Sequence, residues 1–129
     1  MLVFMPVLGA LAVAVLPVRR ALWLWRLAML FALAALGHAL WLAAGFDPGG
    51  PAIQFHESRP WNVRLGSYFA LGIDGIALAM VLLTALLTLI AVLVSRRMES
   101  GARLYFTLVL LLESAMFGVF TARDWSLFY

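Results

Sequence analysis

The sequence predicts an all-α integral membrane protein with about four transmembrane helices, and two observations lead to that prediction. Hydrophobic residues make up 66 % of the 129 residues and charged residues only 12 %, whereas soluble domains carry about 25 % charged residues. Long apolar runs also recur along the chain. The run from Ile76 to Val94 would rise about 28 Å as a helix, close to the thickness of a hydrocarbon core.

The first predicted span competes with a signal peptide for the same residues. A signal peptide carries positive charge before its apolar core and small residues at a cleavage site after it. Here no charged side chain precedes the core, and Arg19 and Arg20 follow it, so the pattern favours a span. The four predicted spans are 1–18, 27–44, 75–95 and 104–122, and residues 125–129 resemble the start of a truncated fifth span.

Small side chains at helical spacing predict the faces on which these helices pack. Close approach of membrane helices requires such side chains. In the second span the stripe is alanine, in the third it adds hydroxyl side chains, and in the fourth it is mainly polar: Ala28, Ala32, Ala35, Ala39; Ala77, Thr84, Thr88, Ala91, Ser95; Thr107, Ser114, Gly118, Thr121.

The segment 45–65 is the one long polar stretch, and its proline and glycine content predicts an outer loop. The alternation at Ala52 to Phe55 is compatible with a short strand. Before the second span, Trp23 and Trp25 stand among arginines, a combination typical of the membrane interface.

The distribution of arginine predicts the orientation. All nine basic residues are arginine, and the formal net charge is +3. Six arginines lie in the connections after spans one and three, and three lie in the long loop and the last turn. The positive-inside rule therefore places the N-terminus and the long loop outside.

Composition also excludes several functional classes. The chain has no cysteine, which removes disulfides, thiolate metal sites and cysteine nucleophiles. No basic cluster carries the interleaved aromatic residues of a nucleic-acid surface. His56 and Glu57 are adjacent in the outer loop, but two ligands without two more are more typical of a solvated loop than of a metal site.

Glu113 is the strongest candidate for chemistry. It lies about 13 Å into the fourth span at 1.5 Å per residue, where a carboxyl group is stable only if it is protonated, paired or hydrated. Such a group could take up and release a proton; the alternative is a protonated acid that only bonds to a neighbouring helix.

Two further residues are weaker proton-pathway candidates. Asp74 precedes the third span, where a helix N-cap is the favoured interpretation and an ion-access site or a partner contact the alternative. His38 lies in the second span and could relay protons, because imidazole titrates near neutral pH, or it could simply bond to a neighbouring helix.

Three stretches resemble one known family. They are Leu71 to Ala77 (LGIDGIA), Val81 to Leu89 (VLLTALLTL) and Leu111 to Phe120 (LLESAMFGVF), followed by Asp124 to Tyr129 (DWSLFY). They are similar to the N-terminal part of subunit M, or subunit 4, of the proton-pumping NADH:quinone oxidoreductases (respiratory complex I).

The resemblance implies an antiporter-like helix bundle in an energy-transducing membrane such as the bacterial inner membrane. It also implies proton translocation coupled to quinone reduction in partner subunits. NADH, FMN, iron–sulfur clusters and quinone would all be bound by those partners, and this chain would carry no redox centre of its own. Asp74 and Asp124 match family positions whose implied role is structural. The family's central glutamate and lysines would lie past Tyr129, so the chain reads as an N-terminal fragment and no catalytic residue is transferred to it.

Two alternatives stay open at the level of sequence. One is a subunit of a multisubunit cation/proton antiporter or of a membrane-bound hydrogenase, which shares the architecture. The other is a small, complete four-helix membrane protein that acts as a scaffold.

Overall fold

The computed structural model describes residues 2–17 and 19–123, which form a bundle of four helices and one β-hairpin. In chain order the elements are α1 (Phe4–Val15), α2 (Ala21–Gly45), β1 (Gln54–Asn62), β2 (Ser67–Ile73), α3 (Gly75–Val94) and α4 (Ala102–Thr121). The predicted helical membrane fold is confirmed. Asp124 and the predicted start of a fifth span at 125–129 lie outside the described residues.

The first helix is much shorter than the predicted span 1–18. It has 12 residues, about 18 Å at 1.5 Å per residue, against a hydrocarbon core of about 30 Å. Leu16 is extended, with φ −62° and ψ 131°, because the ring of Pro17 disfavours the helical conformation in the residue before it. Among the described residues, three helices are long and apolar enough to cross a membrane, and α1 accompanies them as a shorter apolar helix.

The second helix begins at Ala21, ahead of the predicted start at Leu27, so the interfacial tryptophans are helical. Its packing face is confirmed as the alanine stripe, whose four members have no exposed surface: Ala28, Ala32, Ala35 and Ala39. A similar close approach joins α1 to α2. A Cβ atom on Gly9 would lie 2.6 Å from Cγ of Phe31, so only glycine allows this contact.

The polar segment 45–65 contains more regular structure than the sequence indicated. β1 and β2 pair antiparallel, with Glu57 opposite Leu71 and Ser58 opposite Ala70. Most of the proline and glycine residues of this segment lie in the connection before β1, but Pro60 lies within the strand. The period of alternation is broken by a bulge between Gln54 and Glu57. The bulge hides the strand pattern that a simple two-residue alternation would show.

Helices α1 and α3 run one way through the bundle, and α2 and α4 return. Two buried apolar clusters fill the interior. One includes Leu2, Ala39, Val81 and Phe117, and the other includes Val13, Ala28, Val92 and Phe106. The first lies toward the hairpin, here termed the hairpin end; the second lies toward the arginine end, defined by Arg19, Arg20, Arg96, Arg97 and Arg103.

Candidate functional site

Glu113 lies on the buried face of α4 and is 1 % exposed. Its neighbours on that face are Phe106, Leu110 and Phe117, all fully buried. The packing surface of α4 is therefore the bulky one that carries the acid, joined by Ser114 and Thr121 from the small-residue stripe. Within the described part of the chain, neither carboxylate oxygen of Glu113 has a hydrogen-bond partner.

The acid lies at the boundary between the two apolar clusters. Leu110, one turn before it, belongs to the cluster at the arginine end, and Phe117, one turn after it, belongs to the cluster at the hairpin end. A charged carboxylate in such surroundings is unfavourable by several kcal/mol. The site therefore requires a protonated carboxyl group, internal water or a polar partner.

Asp74 is confirmed as the N-cap of α3. Its Oδ1 accepts a hydrogen bond of 2.7 Å from the backbone N–H of Ala77, which satisfies one of the free donors of the first helical turn. Its Oδ2 lies 2.8 Å from Nη2 of Arg123, just after α4. The Ala77 N–H first, and then Arg123, hold the pKa of the Asp74 carboxyl below its ordinary value.

Arg123 binds the hairpin as well as the helix cap. Its backbone N–H donates to the carbonyl oxygen of Ala70 at 2.9 Å, and its Nε lies 3.4 Å from the carbonyl oxygen of Gly72. A bridge between Leu71 and Ala122 continues the pairing of β2. Sequence reasoning treated Arg123 only as part of a polar turn. The position of Arg123 could have predicted the ion pair, because antiparallel packing of α3 and α4 brings the end of α4 to the start of α3.

His38 lines a cavity of about 470 Å³ at the hairpin end. The same cavity is lined by His56 and Glu57 of β1, which the sequence placed only in a loop. His38 and Trp41 have ring centroids 5.6 Å apart, and Trp41 and Phe55 are 6.3 Å apart. The fold thus brings three titratable side chains to one partly aromatic cavity.

Phe55, at the wall of this cavity, has a left-handed backbone conformation with φ of 54°. A bulky residue adopts that conformation rarely. It lies at the bulge between Gln54 and Glu57, and its ring contacts Trp41. The bulge therefore turns an apolar ring onto α2 at the cost of local backbone strain.

The three predicted residues do not form one cluster. No hydrogen bond or ion pair within residues 2–17 and 19–123 joins Glu113, Asp74 and His38 to one another. Over the same residues, no group of three or more histidine, cysteine, aspartate or glutamate side chains is arranged to hold a metal ion. With no cysteine in the chain, the usual thiolate ligands of an iron–sulfur cluster are also lacking.

Known proteins are similar to this chain in both sequence and fold. No protein-family model matches the chain. NADH-quinone oxidoreductase subunit M of Rhodobacter capsulatus is 41 % identical over 91 residues, which is 70 % of this chain and 17 % of that protein. NAD(P)H-quinone oxidoreductase chain 4 1 of Synechococcus elongatus is 32 % identical over an alignment 131 residues long, which covers 99 % of this chain and 24 % of that protein.

The chain belongs to the subunit M/chain 4 family. F(420)H(2) dehydrogenase subunit M of Methanosarcina mazei is also 38 % identical over 99 residues, which is 75 % of this chain and 20 % of that protein. The fold matches a chain of respiratory complex I from Thermus thermophilus with bound NADH, with a TM-score of 0.80 and 28 % identity over 99 % of this chain and 25 % of that one. The chain thus spans 17 to 24 % of the length of these curated relatives.

Proposed function

We propose that the chain is part of a membrane subunit of a proton-pumping NADH:quinone oxidoreductase and contributes to proton translocation coupled to quinone reduction. Three findings support the proposal: membership of the subunit M/chain 4 family, the match in fold to a chain of respiratory complex I, and a buried carboxyl group inside the bundle. The last of these carries the chemical argument.

Glu113 is the residue proposed to handle protons. It is polar, buried and without a protein hydrogen-bond partner among the described residues. A residue that served packing alone would be better replaced by an apolar side chain of similar size, because burying an unsatisfied polar group is unfavourable by about 1–3 kcal/mol. An ionisable side chain inside a membrane bundle is therefore a candidate functional site, and proton transfer is the function proposed for this one.

His38 and Asp74 are given different parts in this proposal. His38 lines an open cavity at the hairpin end together with His56 and Glu57, which suits a place where protons exchange with water. Asp74 is engaged by Ala77 and Arg123, so its contribution is to fix the start of α3. Proton transfer between these sites would need internal water or residues of neighbouring segments.

The decisive variant is Glu113→Gln in the assembled complex. Glutamine preserves size and polarity but cannot release a proton. We expect the number of protons pumped per electron to fall several-fold while electron transfer from NADH to quinone continues. Proton pumping is measured by dye quenching in sealed membrane vesicles, and electron transfer by NADH oxidation in the same preparation.

Asp47→Asn is the matched control, because it likewise replaces an acid by its amide, at an exposed position in the connection between α2 and β1. It should leave both rates unaltered. Unchanged pumping in Glu113→Gln, with normal assembly, would reduce Glu113 to a packing role and remove the chemical support for the proposal.

The similarity to F(420)H(2) dehydrogenase subunit M favours a second candidate, in which the complex is fed by F(420)H(2) rather than NADH. Partner membrane subunits would then be alike, and the subunits that bind the electron donor would differ. In either case NADH or its substitute, FMN, iron–sulfur clusters and quinone would be bound by partners. Membrane vesicles supplied with each donor in turn distinguish the two by which one supports proton pumping.

The orientation is part of the proposal as well. The hairpin end would face outward and the arginine end inward, as the positive-inside rule requires. A cysteine introduced at the exposed Arg97 should react with a membrane-impermeant thiol reagent only from the inner side of the membrane.

A further inference from the structure

The arginine end contains a cavity of about 780 Å³ whose charge is almost all of one sign. Arg19 and Arg20 contribute from the connection between α1 and α2, and Arg96 and Arg97 contribute from the short helical turn after α3. The one acid at its wall is Glu99. In the part of the chain that the structure describes, none of the four arginines forms an ion pair with a carboxylate.

At least one of these arginines is held in place by the fold. The guanidinium of Arg96 lies 5.5 Å from the centroid of the Trp25 ring, within the distance of about 6 Å at which a cation is attracted to an aromatic face. The indole is itself fixed, because its Nε1–H donates to the carbonyl oxygen of Val92 at 2.7 Å. A stacked guanidinium keeps its N–H edge free for a second partner.

The position of the cavity favours a lipid over a free anion as its occupant. It lies where α2 begins and α3 ends, at the level of the interfacial tryptophans. Leu22 lines the cavity, and both Leu22 and Val94 are exposed beside it, so acyl chains have apolar surface to contact while a phosphate meets the arginines. Arginine binds phosphate through paired N–H donors.

We propose that this cavity binds the phosphate headgroup of an anionic phospholipid. The site joins the α1–α2 connection to the turn after α3, so a bound lipid links two segments that are far apart in sequence. This inference requires only that the chain spans a membrane and does not rest on proton translocation.

The test uses the full chain in a neutral detergent, titrated with phosphatidylglycerol or phosphatidylcholine and followed by native mass spectrometry. We expect clear preference for phosphatidylglycerol. Arg97→Gln should weaken its binding about tenfold, as loss of a hydrogen bond from a charged group implies. Arg97→Lys should also weaken binding, because the paired donors are lost, but it should do so less than Arg97→Gln because the charge remains.

Two controls separate this site from general attraction between charges. Arg59→Gln makes the same change in β1, at the hairpin end, and should leave binding unaltered. Glu99→Gln removes the one acid of the cavity and should strengthen binding several-fold, a gain that a misfolded variant would not show.

Three results would overturn the proposal: equal binding of the two lipids, an equal loss in Arg59→Gln and Arg97→Gln, or displacement of phosphatidylglycerol by an equal concentration of inorganic phosphate. The last would indicate a site for free anions at which the acyl chains contribute nothing.

Discussion

Helix termini at the two ends of the bundle are capped by side chains of opposite charge. At the hairpin end, the carboxylate of Asp74 caps the N-terminus of α3 and is neutralised by Arg123. At the arginine end, Nη1 of Arg103 donates to three carbonyl oxygens at the C-terminus of α1: Val13 at 3.2 Å, Ala14 at 2.9 Å and Leu16 at 2.7 Å. Each charge has the sign that complements the helix dipole.

The two ends differ in the net charge that remains once the helix termini are capped. The hairpin end holds a paired acid and arginine, whereas the arginine end keeps a surplus of positive charge in the cavity formed by Arg19, Arg20, Arg96 and Arg97. One end is therefore stabilised internally, and the other is left able to attract an anionic partner. The same residue type, arginine, closes the fold in one place and presents charge in another.

The largest effect on stability should follow from Arg103→Ala. Three carbonyl groups at the end of α1 would lose a charged donor, and we expect a loss of about 2 kcal/mol, since hydrogen bonds to charged groups contribute about 1.5–3 kcal/mol. Thermal unfolding of the chain in detergent, followed by circular dichroism, measures this change. Arg26→Ala is the control: Arg26 contacts Trp23 on its own helix, and its loss should be much smaller. Equal melting of the two variants would contradict the capping role.

A smaller effect is expected at the other end, from Asp74→Ala. Loss of an N-cap side chain lowers stability by about 1 kcal/mol. Asp74→Asn keeps an oxygen that accepts from the Ala77 N–H but removes the charge that meets Arg123, so it should lie between the wild type and Asp74→Ala. If both variants melted together, the ion pair with Arg123 would account for the whole effect.

The smallest effect should be the pH dependence at the hairpin end. The pKa of Asp74 is lowered in the folded chain, so its contribution is complete above the ordinary aspartate pKa of about 3.9 and is lost as pH falls through the folded value. Melting temperatures of the wild type should therefore decline more steeply below about pH 4 than those of Asp74→Asn. Parallel profiles would show that Asp74 is not stabilised in its charged form.

The sequence predicted the existence of all four helices, because apolar runs and small-residue stripes are local signals, but it did not predict the shortness of α1 or the early start of α2. The alanine stripe of α2 and the N-cap at Asp74 were both read correctly from neighbouring residues. The contacts of Arg103 and Arg123 were missed because their partners are distant in sequence. Arg103 binds the end of α1, and Arg123 binds β2 and the start of α3; only the packing of α4 brings them together. Only a short strand at Ala52 to Phe55 was considered in place of the hairpin, because the bulge at Phe55 breaks the alternation that signals a longer strand.

Glu113 shows the same limit at the candidate site. Its depth in the span could be counted from the sequence, and this identified it as unusual. The packing face of α4 was predicted to be its small-residue stripe, whereas Phe106, Leu110 and Phe117 are among the residues that α4 buries. Shape complementarity between large side chains depends on the partner helices and cannot be read from one helix alone.

The contacts of α1 bear on the order in which the bundle is built. Both of its ends are held by α4: Ser114 donates to the carbonyl oxygen of Val3 at 2.6 Å, and Arg103 binds the opposite terminus. These partners are separated by 87 to 111 positions along the chain. A ribosome makes α1 before α4, so α1 cannot gain these contacts until α4 has also been synthesised, and its final placement follows the insertion of the helices between them.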